Sequence, residues 1–529
     1  MVVDVRAARR RWLSTVTWTA LAAVPVVLMV VEVLRSPRLH FLDYWQILTH
    51  ATTRTGGLDV GGLFKLHNGH PIVTPGLVFW ADATITDGSN NVVGLVNVLL
   101  AAAAVVALRA MLPGDLDGTK KGALTVAFAF LVFSSGALEM FGISMSGASW
   151  LLGLVPAMFA MLCAHRGHTV AALLLGVLAN LGHGTAFALW PALALVAWLR
   201  GDALWRVLAP LGAVVALAVG WSLLPAPPGG VGPGGEFGID TRLAAIAGVL
   251  SPIRVEDGAP LSLAVGGAIA VVLAGFVVLA VRERLAKLPV AAVGWVGLGT
   301  HMLGAAAMIG LSREDYGPTI GLTARYATLS GLAACAVLAL VVLRRPALPP
   351  VRVAVATCAV ALATFAAGSM ESVNVRNQYL NQRLVAVAMR VGADDVARQY
   401  RLKPRVWEVA ERAGFYPFVD DLDLGCGMRL GSRVPSLKRG VGSVDTGPVR
   451  GGVELRGWAL VDGRRAECVF VVNTSGVVVG GGYTGLPRPD LPKEKNTNEL
   501  RAGWAAVAGP SLADNSVVVV SSGGEFYGL

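Results

Sequence analysis

The first 370 or so residues alternate between long apolar runs and short polar turns that carry Arg or Lys. Most runs approach the roughly 20 apolar residues that a helix needs to cross a hydrocarbon core of about 30 Å. They are rich in Ala, Leu and Val and lack the alternation of a barrel strand, so helices are the structure that satisfies their backbone in lipid. The pattern predicts a polytopic α-helical membrane protein with about eleven spans. These runs lie at 12–34, 90–112, 122–141, 147–164, 169–181, 186–199, 207–224, 260–281, 289–311, 320–343 and 351–370.

The pair 169–181 and 186–199 is short, and it fits either two thin crossings or one re-entrant hairpin. A polar excursion over 35–88 follows the first helix and contains two candidate interfacial helices, at Phe41 to Thr52 and Leu58 to Leu66. Its last part, from Pro71 to Gly88, is too short for a full span and is read as interfacial or re-entrant.

The basic residues assign the two sides of the membrane. One set of turns is compact and basic, from Arg9-Arg10-Arg11 near the N-terminus to Arg344-Arg345, whereas the other set contains the excursion and the Pro/Gly-rich loop 225–259. Cytoplasmic loops carry the excess of Lys and Arg. We therefore expect a multi-pass protein of the plasma (inner) membrane with a cytoplasmic N-terminus and an extracytoplasmic C-terminal domain.

Composition agrees with this class. The chain is 54% hydrophobic and 15% charged, whereas soluble domains carry about 25% charged residues. The net charge of +10 comes largely from turns beside helices, where basic side chains meet anionic lipid headgroups. We therefore expect the lipid bilayer as a partner and no nucleic acid.

The character of the chain changes after residue 370, which ends the predicted transmembrane domain 1–370. Residues 371–424 read as a solvated helical connector, and 425–529 read as an extracytoplasmic β-sandwich-like domain. Its β-branched runs lie at 452–460, 467–472, 477–479 and 516–521. Cys426 and Cys468 fall in this domain, and the sequence leaves a disulfide between them open. Three aromatic residues there either stack on sugar rings or fill the core: Trp458, Tyr483 and Trp504.

The excursion holds the most informative polar cluster. Asp43 follows the first helix and precedes Tyr44 and Trp45, and His67-Asn68-Gly69-His70 comes about twenty residues later. A carboxylate at headgroup level is partly desolvated, which suits general-base chemistry. The alternative is that Asp43 caps a helix and the two histidines hold the loop together.

This order of residues resembles a broad group of largely uncharacterised bacterial membrane proteins related to the GT-C class of glycosyltransferases. The resemblance extends to Trp150, to Gly182-His183-Gly184 before Trp190, and to Ala324-Arg325-Tyr326 at the start of a late helix. The chain departs from the group at Gly69 and Pro71, where Glu and Arg are frequent, and this weakens roles transferred to those two positions.

The resemblance implies a membrane glycosyltransferase that moves a sugar from a polyprenyl-phosphate donor to an extracytoplasmic cell-envelope glycan or lipid, in cell-wall biogenesis. It implies that Asp43 is the catalytic carboxylate. The candidate donor- or acceptor-binding residues are Tyr44, Trp45, His67, Asn68, His70, Glu139 and His183.

The departing phosphate requires a cation, and a guanidinium binds phosphate oxygens through two bonds. Arg325, near the outer end of its helix, is the first candidate, and Arg313 in the adjacent outer loop is the second. Tyr326, which follows Arg325, completes the phosphate-binding candidates. The alternative for Arg325 is that it extends to the headgroups. The sequence does not identify a cofactor. Glu314 and Asp315 are candidate ligands for a divalent cation, since such ions bind carboxylate oxygens, and the alternative is a plain solvated loop. The group Arg254-Val255-Glu256-Asp257 allows the same two interpretations.

Two other functions stay in consideration. A transporter or flippase of a lipid-linked sugar would place ionisable residues at mid-membrane on discontinuous helices, and a non-catalytic envelope assembly partner would only display the C-terminal domain. The candidate charges collect at one face of the membrane, which favours surface chemistry. The enzyme hypothesis requires Asp43 and Arg325 to converge on one cavity that opens away from the cytosol.

Overall fold

The computed structural model describes residues 5–41, 43–224, 238–254, 258–284, 290–313, 317–400, 402, 406–419, 422–445, 453–495, 497–509 and 516–529. Its α-helices are α1 Val5–Arg35, α2 Tyr44–Ala51, α3 Val73–Ile85, α4 Asn90–Met111, α5 Gly118–Val132, α6 Leu138–Gly142, α7 Ser144–His165, α8 Thr169–Gly182, α9 Leu189–Arg200, α10 Leu204–Ser222, α11 Ile239–Leu250, α12 Ala259–Glu283, α13 Val290–Ser312, α14 Ala327–Arg344, α15 Pro350–Ala367, α16 Ser369–Val391, α17 Asp394–Gln399, α18 Glu408–Ala413 and α19 Leu491–Lys495. Its strands are β1 Leu66–His67, β2 His70–Pro71, β3 Lys438–Arg439, β4 Val441–Val444, β5 Val453–Val461, β6 Arg464–Arg465, β7 Cys468–Val472, β8 Val478–Leu486, β9 Gly503–Ala508, β10 Ser516–Val520 and β11 Phe526–Gly528.

The apolar runs form the helices that the pattern predicts. Within the described ranges, nine helical stretches are long and apolar enough to cross a membrane, and two shorter ones, Thr169–Gly182 and Gly184–Arg200, match the short predicted pair. The nine are Trp12–Arg35, Asn90–Met111, Gly118–Gly142, Ser144–His165, Leu204–Ser222, Ala259–Glu283, Val290–Ser312, Ala324–Arg344 and Pro350–Val391. The protein is therefore a multi-pass membrane protein, and the total of eleven crossings stays a prediction.

The chain divides into two compact units. The first comprises Met1–Ser36, Asp59–Val78 and Asn90–Val375, and the second comprises Pro37–Leu58, Phe79–Ser89 and Arg376–Leu529. The predicted excursion 35–88 is thus shared between the units, which the sequence did not indicate. The boundaries predicted at 370 and 424 stay predictions.

The first unit is a helix bundle with an aromatic interior. Phe128, Phe133, Phe141 and Trp295 are fully buried within it. Helices α10 and α12 instead carry many exposed apolar side chains, as expected for surfaces that contact lipid tails.

Two local predictions in the first unit are wrong. The loop 225–259 contains helix α11, which buries Ala245, Val249 and Leu250 where the sequence predicted an irregular connection. The helix predicted at Leu58 to Leu66 is reduced to one 3₁₀ turn, Gly62–Phe64. The β1–β2 hairpin follows, and its Asn68-Gly69 turn has positive φ at both positions, the geometry that Asn-Gly favours in a two-residue hairpin.

The second unit contains a nine-stranded sheet among the described residues. The strands follow the order β3-β11-β10-β7-β8-β9-β5-β4, and β6 pairs with β5. All four predicted strand runs are strands, whereas the Ala-rich β9 was missed because alanine does not favour strands. The β-rich character of this domain is confirmed, and the sandwich arrangement stays a prediction.

The predicted solvated connector is partly buried. Leu384 and Val387 of α16 pack with Val396 of α17 against Tyr483 and Val507 of the sheet. Charged side chains on the opposite face concealed this apolar stripe in the sequence. The connector is therefore part of the packing of the second unit.

A disulfide joins Cys426 to Cys468, which resolves the alternative that the sequence left open. Trp458, Tyr483 and Trp504 are all buried, and Trp504 is completely enclosed. Of the two roles considered for them, the core role is correct.

Candidate functional site

Two histidines meet at a break in the helix bundle of the first unit. His70 lies on β2 of the hairpin, and His183 lies between α8 and the 3₁₀ turn Gly184–Ala188. Their ring centroids are 4.7 Å apart. Gly184 permits this approach, because a Cβ at that position would stand 3.1 Å from the His70 ring.

Both rings are anchored through Nδ1. The backbone N–H of Thr185 donates to Nδ1 of His183 at 3.2 Å, and Nδ1 of His70 bonds the carbonyl oxygen of Asn68 at 3.1 Å. Burial lowers the pKa of His70 to about 4, and the neighbouring His67 and Arg313 act in the same direction. The Asn68 carbonyl opposes them. His70 is therefore neutral at physiological pH.

Aromatic rings extend from this pair in both directions. The Trp150 ring lies 3.8 Å from that of His183, and Tyr326 meets Trp150 edge-on at 5.3 Å. On the other side, Trp221 lies parallel to His70 at 6.4 Å. These residues come from α7, α10 and the start of the Ala324–Arg344 stretch, so the row exists only in the folded bundle.

An ion pair adjoins the aromatic row. Arg325 Nε lies 3.4 Å from Oε1 of Glu139, and the Ser146 hydroxyl donates to the same oxygen at 2.9 Å. Glu139 is buried, whereas about a third of the Arg325 side chain (36%) is exposed. The sequence identified both residues separately, at two helix ends, but gave no indication that they pair.

Arg254 fixes the segment that carries Arg325. It is buried, and its Nη1 donates to the carbonyl oxygens of Gly321 and Thr323 at 3.1 and 2.7 Å. Its Nη2 reaches the Ser330 hydroxyl at 3.4 Å. Burial lowers the pKa of Arg254 to about 10, so it stays charged at neutral pH. Arg254 is a positioning residue that sequence reasoning left ambiguous.

Asp43 lies in the second unit, at the N-cap position of α2. Its side chain makes no capping hydrogen bond to the helix, so the helix-capping alternative is not realised. Tyr44 and Trp45 are 1% and 2% exposed. Both side chains therefore pack in the interior of the second unit, and their binding role stays a prediction.

A buried His–Asp pair, missed by sequence reasoning, supports the same turn. His40 Nε2 lies 2.8 Å from Oδ2 of Asp82, and the His40 ring stacks on Tyr44 at 3.6 Å. Burial alone would raise the pKa of Asp82, but hydrogen bonds with His40, Thr86 and the Ser89 amide outweigh it and lower this pKa. Burial, followed by the charge of Asp82, raises the pKa of Tyr44 well above its usual range. The sequence did contain one indication of this pair, because Asp82 is an aspartate inside the apolar run of α3.

The remaining candidates are distributed between the two units. His67 is buried opposite His70 in the hairpin, and Asn68 is exposed at its turn. Arg313 lies near enough to influence His70. Asp43 and Arg325 belong to different units, so their convergence stays a prediction.

The side chains that could bind a metal ion do not cluster in the part of the chain that the structure describes. No group of three or more His, Cys, Asp or Glu side chains there could hold a metal ion. Glu314, Asp315, Glu256 and Asp257 lie outside the described residues.

No family model, no curated protein and no solved structure matches the chain.

Proposed function

We propose that this protein is a GT-C-type membrane glycosyltransferase. It transfers a sugar from a polyprenyl-phosphate donor to an extracytoplasmic cell-envelope glycan or lipid. The observation that carries the proposal is the Glu139–Arg325 pair at 3.4 Å, set at helix ends beside an aromatic row inside an apolar bundle. An amphiphile with a lipid tail, a phosphate and a sugar has the three parts that such surroundings suit.

Arg325 is the phosphate-binding residue in this proposal. A guanidinium stabilises the negative charge that develops on the leaving phosphate, and it can do so through two parallel hydrogen bonds. The carboxylate of Glu139 lies 3.4 Å from Nε of Arg325, so this ion pair positions the guanidinium before the lipid arrives. Preorganised charge is the largest contribution that enzymes usually make to such a step.

Asp43 is the general base. It removes the proton from the acceptor hydroxyl while that oxygen forms a bond to the anomeric carbon of the sugar. The bond from this carbon to the phosphate oxygen breaks, and its electrons leave with the polyprenyl phosphate. The buried His40–Asp82 pair and the packed Tyr44 keep the Asp43 turn rigid, which supports this role because catalytic groups need fixed positions.

The proposed orientation places the N-terminus in the cytoplasm and the second unit outside it, in the plasma (inner) membrane. The basic turns support this arrangement. The Cys426–Cys468 disulfide supports it as well, since disulfides persist in oxidising compartments.

The test measures sugar transfer in membranes that contain the full chain, supplied with polyprenyl phosphates that carry radiolabelled glucose, mannose, galactose or arabinose. We expect Asp43→Asn and Arg325→Ala each to reduce transfer at least about a hundredfold. The matched controls are Asp87→Asn, an exposed carboxylate of the same unit, and Arg345→Gln, an exposed cation at the far end of α14.

If both variants transfer sugar at the control rate with normal protein levels, the enzyme proposal is wrong. The enzyme proposal is also wrong if the wild-type chain transfers none of the four sugars.

A lipid-linked-sugar flippase is the second candidate, favoured by the helix break at His183 and by His301, which is buried within α13. Transporters use discontinuous helices of this kind. A flippase would move the labelled lipid across proteoliposomes without forming a glycosidic product, and Asp43→Asn would leave that movement intact.

A further inference from the structure

We propose that His70 and His183 form a neutral donor–acceptor pair that binds a hydroxyl group of the donor sugar. This inference rests on the proposed function and adds to it which part of the lipid the two histidines recognise. The two histidines bind the uncharged sugar, whereas the arginine guanidiniums bind the phosphate.

The tautomer of His183 follows from its hydrogen bonds. A backbone N–H can only donate, so the contact from Thr185 N makes Nδ1 of His183 an acceptor. The Thr185 hydroxyl, 2.9 Å from the same nitrogen, can donate to it as well. An imidazolium has no acceptor nitrogen. The ring is therefore neutral, and its single proton lies on Nε2.

The tautomer of His70 is the opposite one. A carbonyl oxygen can only accept, so the contact with the Asn68 carbonyl makes Nδ1 of His70 the donor. The low pKa of about 4 keeps the ring neutral. Its Nε2 therefore carries a lone pair and accepts.

The two free-edge nitrogens are thus complementary. His183 offers an N–H and His70 offers a lone pair, with ring centroids 4.7 Å apart. Within the described part of the chain, neither Nε2 takes part in a hydrogen bond. A hydroxyl group both donates and accepts, so it satisfies both nitrogens at once, whereas a phosphate oxygen only accepts and would be repelled by the lone pair of His70.

The surroundings hold both rings in place. Trp150 packs against His183 at 3.8 Å, and Gly184 brings the backbone against His70. A site whose polar groups need a hydroxyl discriminates strongly against a ligand that lacks one. The pair therefore distinguishes a sugar-bearing polyprenyl phosphate from the bare lipid product, which would favour product release.

The experiment measures binding to the purified full-length chain in detergent. The probes are polyprenyl phosphate without sugar and the four polyprenyl phosphates that carry glucose, mannose, galactose or arabinose. We expect His183→Phe and His70→Phe to weaken binding of the preferred sugar-bearing lipid by about tenfold and to leave binding of the bare lipid unchanged.

The Gln variants distinguish the loss of a hydrogen bond from a fold disturbed by phenylalanine. A Gln amide can donate or accept, so His183→Gln and His70→Gln should recover binding to within about threefold of the wild-type chain. His168→Phe is the matched control, because His168 is exposed at the opposite end of helix α8.

Three outcomes overturn the inference: equal weakening for bare and sugar-bearing lipids, no weakening for either, or loss of thermal stability in both the Phe and the Gln variants relative to His168→Phe. These outcomes leave the proposed function standing, provided that Arg325→Ala weakens binding of all five lipids. If the wild-type chain binds none of them, the proposed function falls, and this inference falls with it.

Discussion

Single side chains in this protein take their chemical role from the groups that surround them. His70 and His183 are the same residue type at a distance of 4.7 Å, yet a carbonyl anchors one and a backbone N–H anchors the other. Their exposed edges consequently differ in hydrogen-bonding sense. The residue type alone does not contain this information.

The pH dependence of sugar-lipid binding tests the state of His70. An ordinary histidine has a pKa of about 6.5, whereas the pKa of His70 is about 4 with His67, His183 and Arg313 as its charged or titratable neighbours. The ring therefore stays neutral as the pH falls through about 6.5, and it becomes charged only near pH 4. We expect binding to be constant from about pH 8 to about pH 5 and to fall near pH 4.

Binding of the sugar-bearing lipid to purified protein, measured across this range, checks the prediction. His70→Gln should remove the part of the loss of binding near pH 4 that comes from protonation of His70, because glutamine does not titrate. A decline centred near the ordinary histidine pKa would show that His70 is not held neutral.

The sequence singled out individual candidate residues but did not indicate which of them pair. Glu139 was identified as an acidic group near a helix end, His183 from its glycine-flanked helix break, and Arg325 as a guanidinium able to bind phosphate. The Arg325–Glu139 pairing was not predicted, and the His40–Asp82 pair was missed, because both contacts join segments that are far apart in the chain. Such pairings depend on how the helices pack, which one sequence does not specify.

At the scale of elements, helix breaks determine where polar groups can gather. Helix α8 ends at Gly182, and the chain turns through His183 into a 3₁₀ turn before α9 begins. Non-helical backbone at membrane depth is tolerated where it is enclosed by protein. The tight contact between α7 and α8 provides that enclosure.

Gly182→Ala should destabilise this contact. A methyl group at residue 182 would collide with the backbone carbonyl of Leu152 on α7, which cannot move as a side chain would. We expect a loss of about 1–3 kcal/mol from such overpacking. Thermal unfolding in detergent measures it.

Gly212→Ala is the matched control, since it lies inside α10 with no atom within 4 Å of the added methyl. It should be neutral or slightly stabilising. Equal melting temperatures for the two variants would contradict the close α7–α8 packing.

Most elements could be predicted because their signals are local. A span needs only its own apolar residues, and the strands of the second unit needed only β-branched runs and turn residues. Helix α11 and strand β9 were missed for the same reason: α11 follows a Pro/Gly-rich stretch, and β9 is rich in alanine. Packing, rather than propensity, makes them regular.

At the scale of the whole molecule, the proposed orientation has a direct test in the Cys426–Cys468 disulfide. Cys426 is exposed, whereas Cys335 is buried within a predicted span. In intact cells, a membrane-impermeant reductant followed by an impermeant thiol reagent should label Cys426, because the second unit is proposed to lie outside.

A Cys426→Ser/Cys468→Ser double variant is the control, and it should lose the reduction-dependent label. Labelling that requires permeabilised cells would place the second unit in the cytoplasm and would overturn the proposed orientation.

The second unit combines early segments of the chain with its last part, Arg376–Leu529. Thr49 donates to the carbonyl oxygen of Val406 across 357 residues of sequence, and the amide of Tyr416 bonds the carbonyl of Asp87. At roughly 5–20 residues per second, a ribosome needs about 20–70 s to synthesise the intervening chain. The segment that carries Asp43 therefore emerges early and meets these packing partners only after Val406 and Tyr416 have been synthesised. A chain truncated before Val406 should consequently lose the packing partners of a segment encoded near the start of the gene.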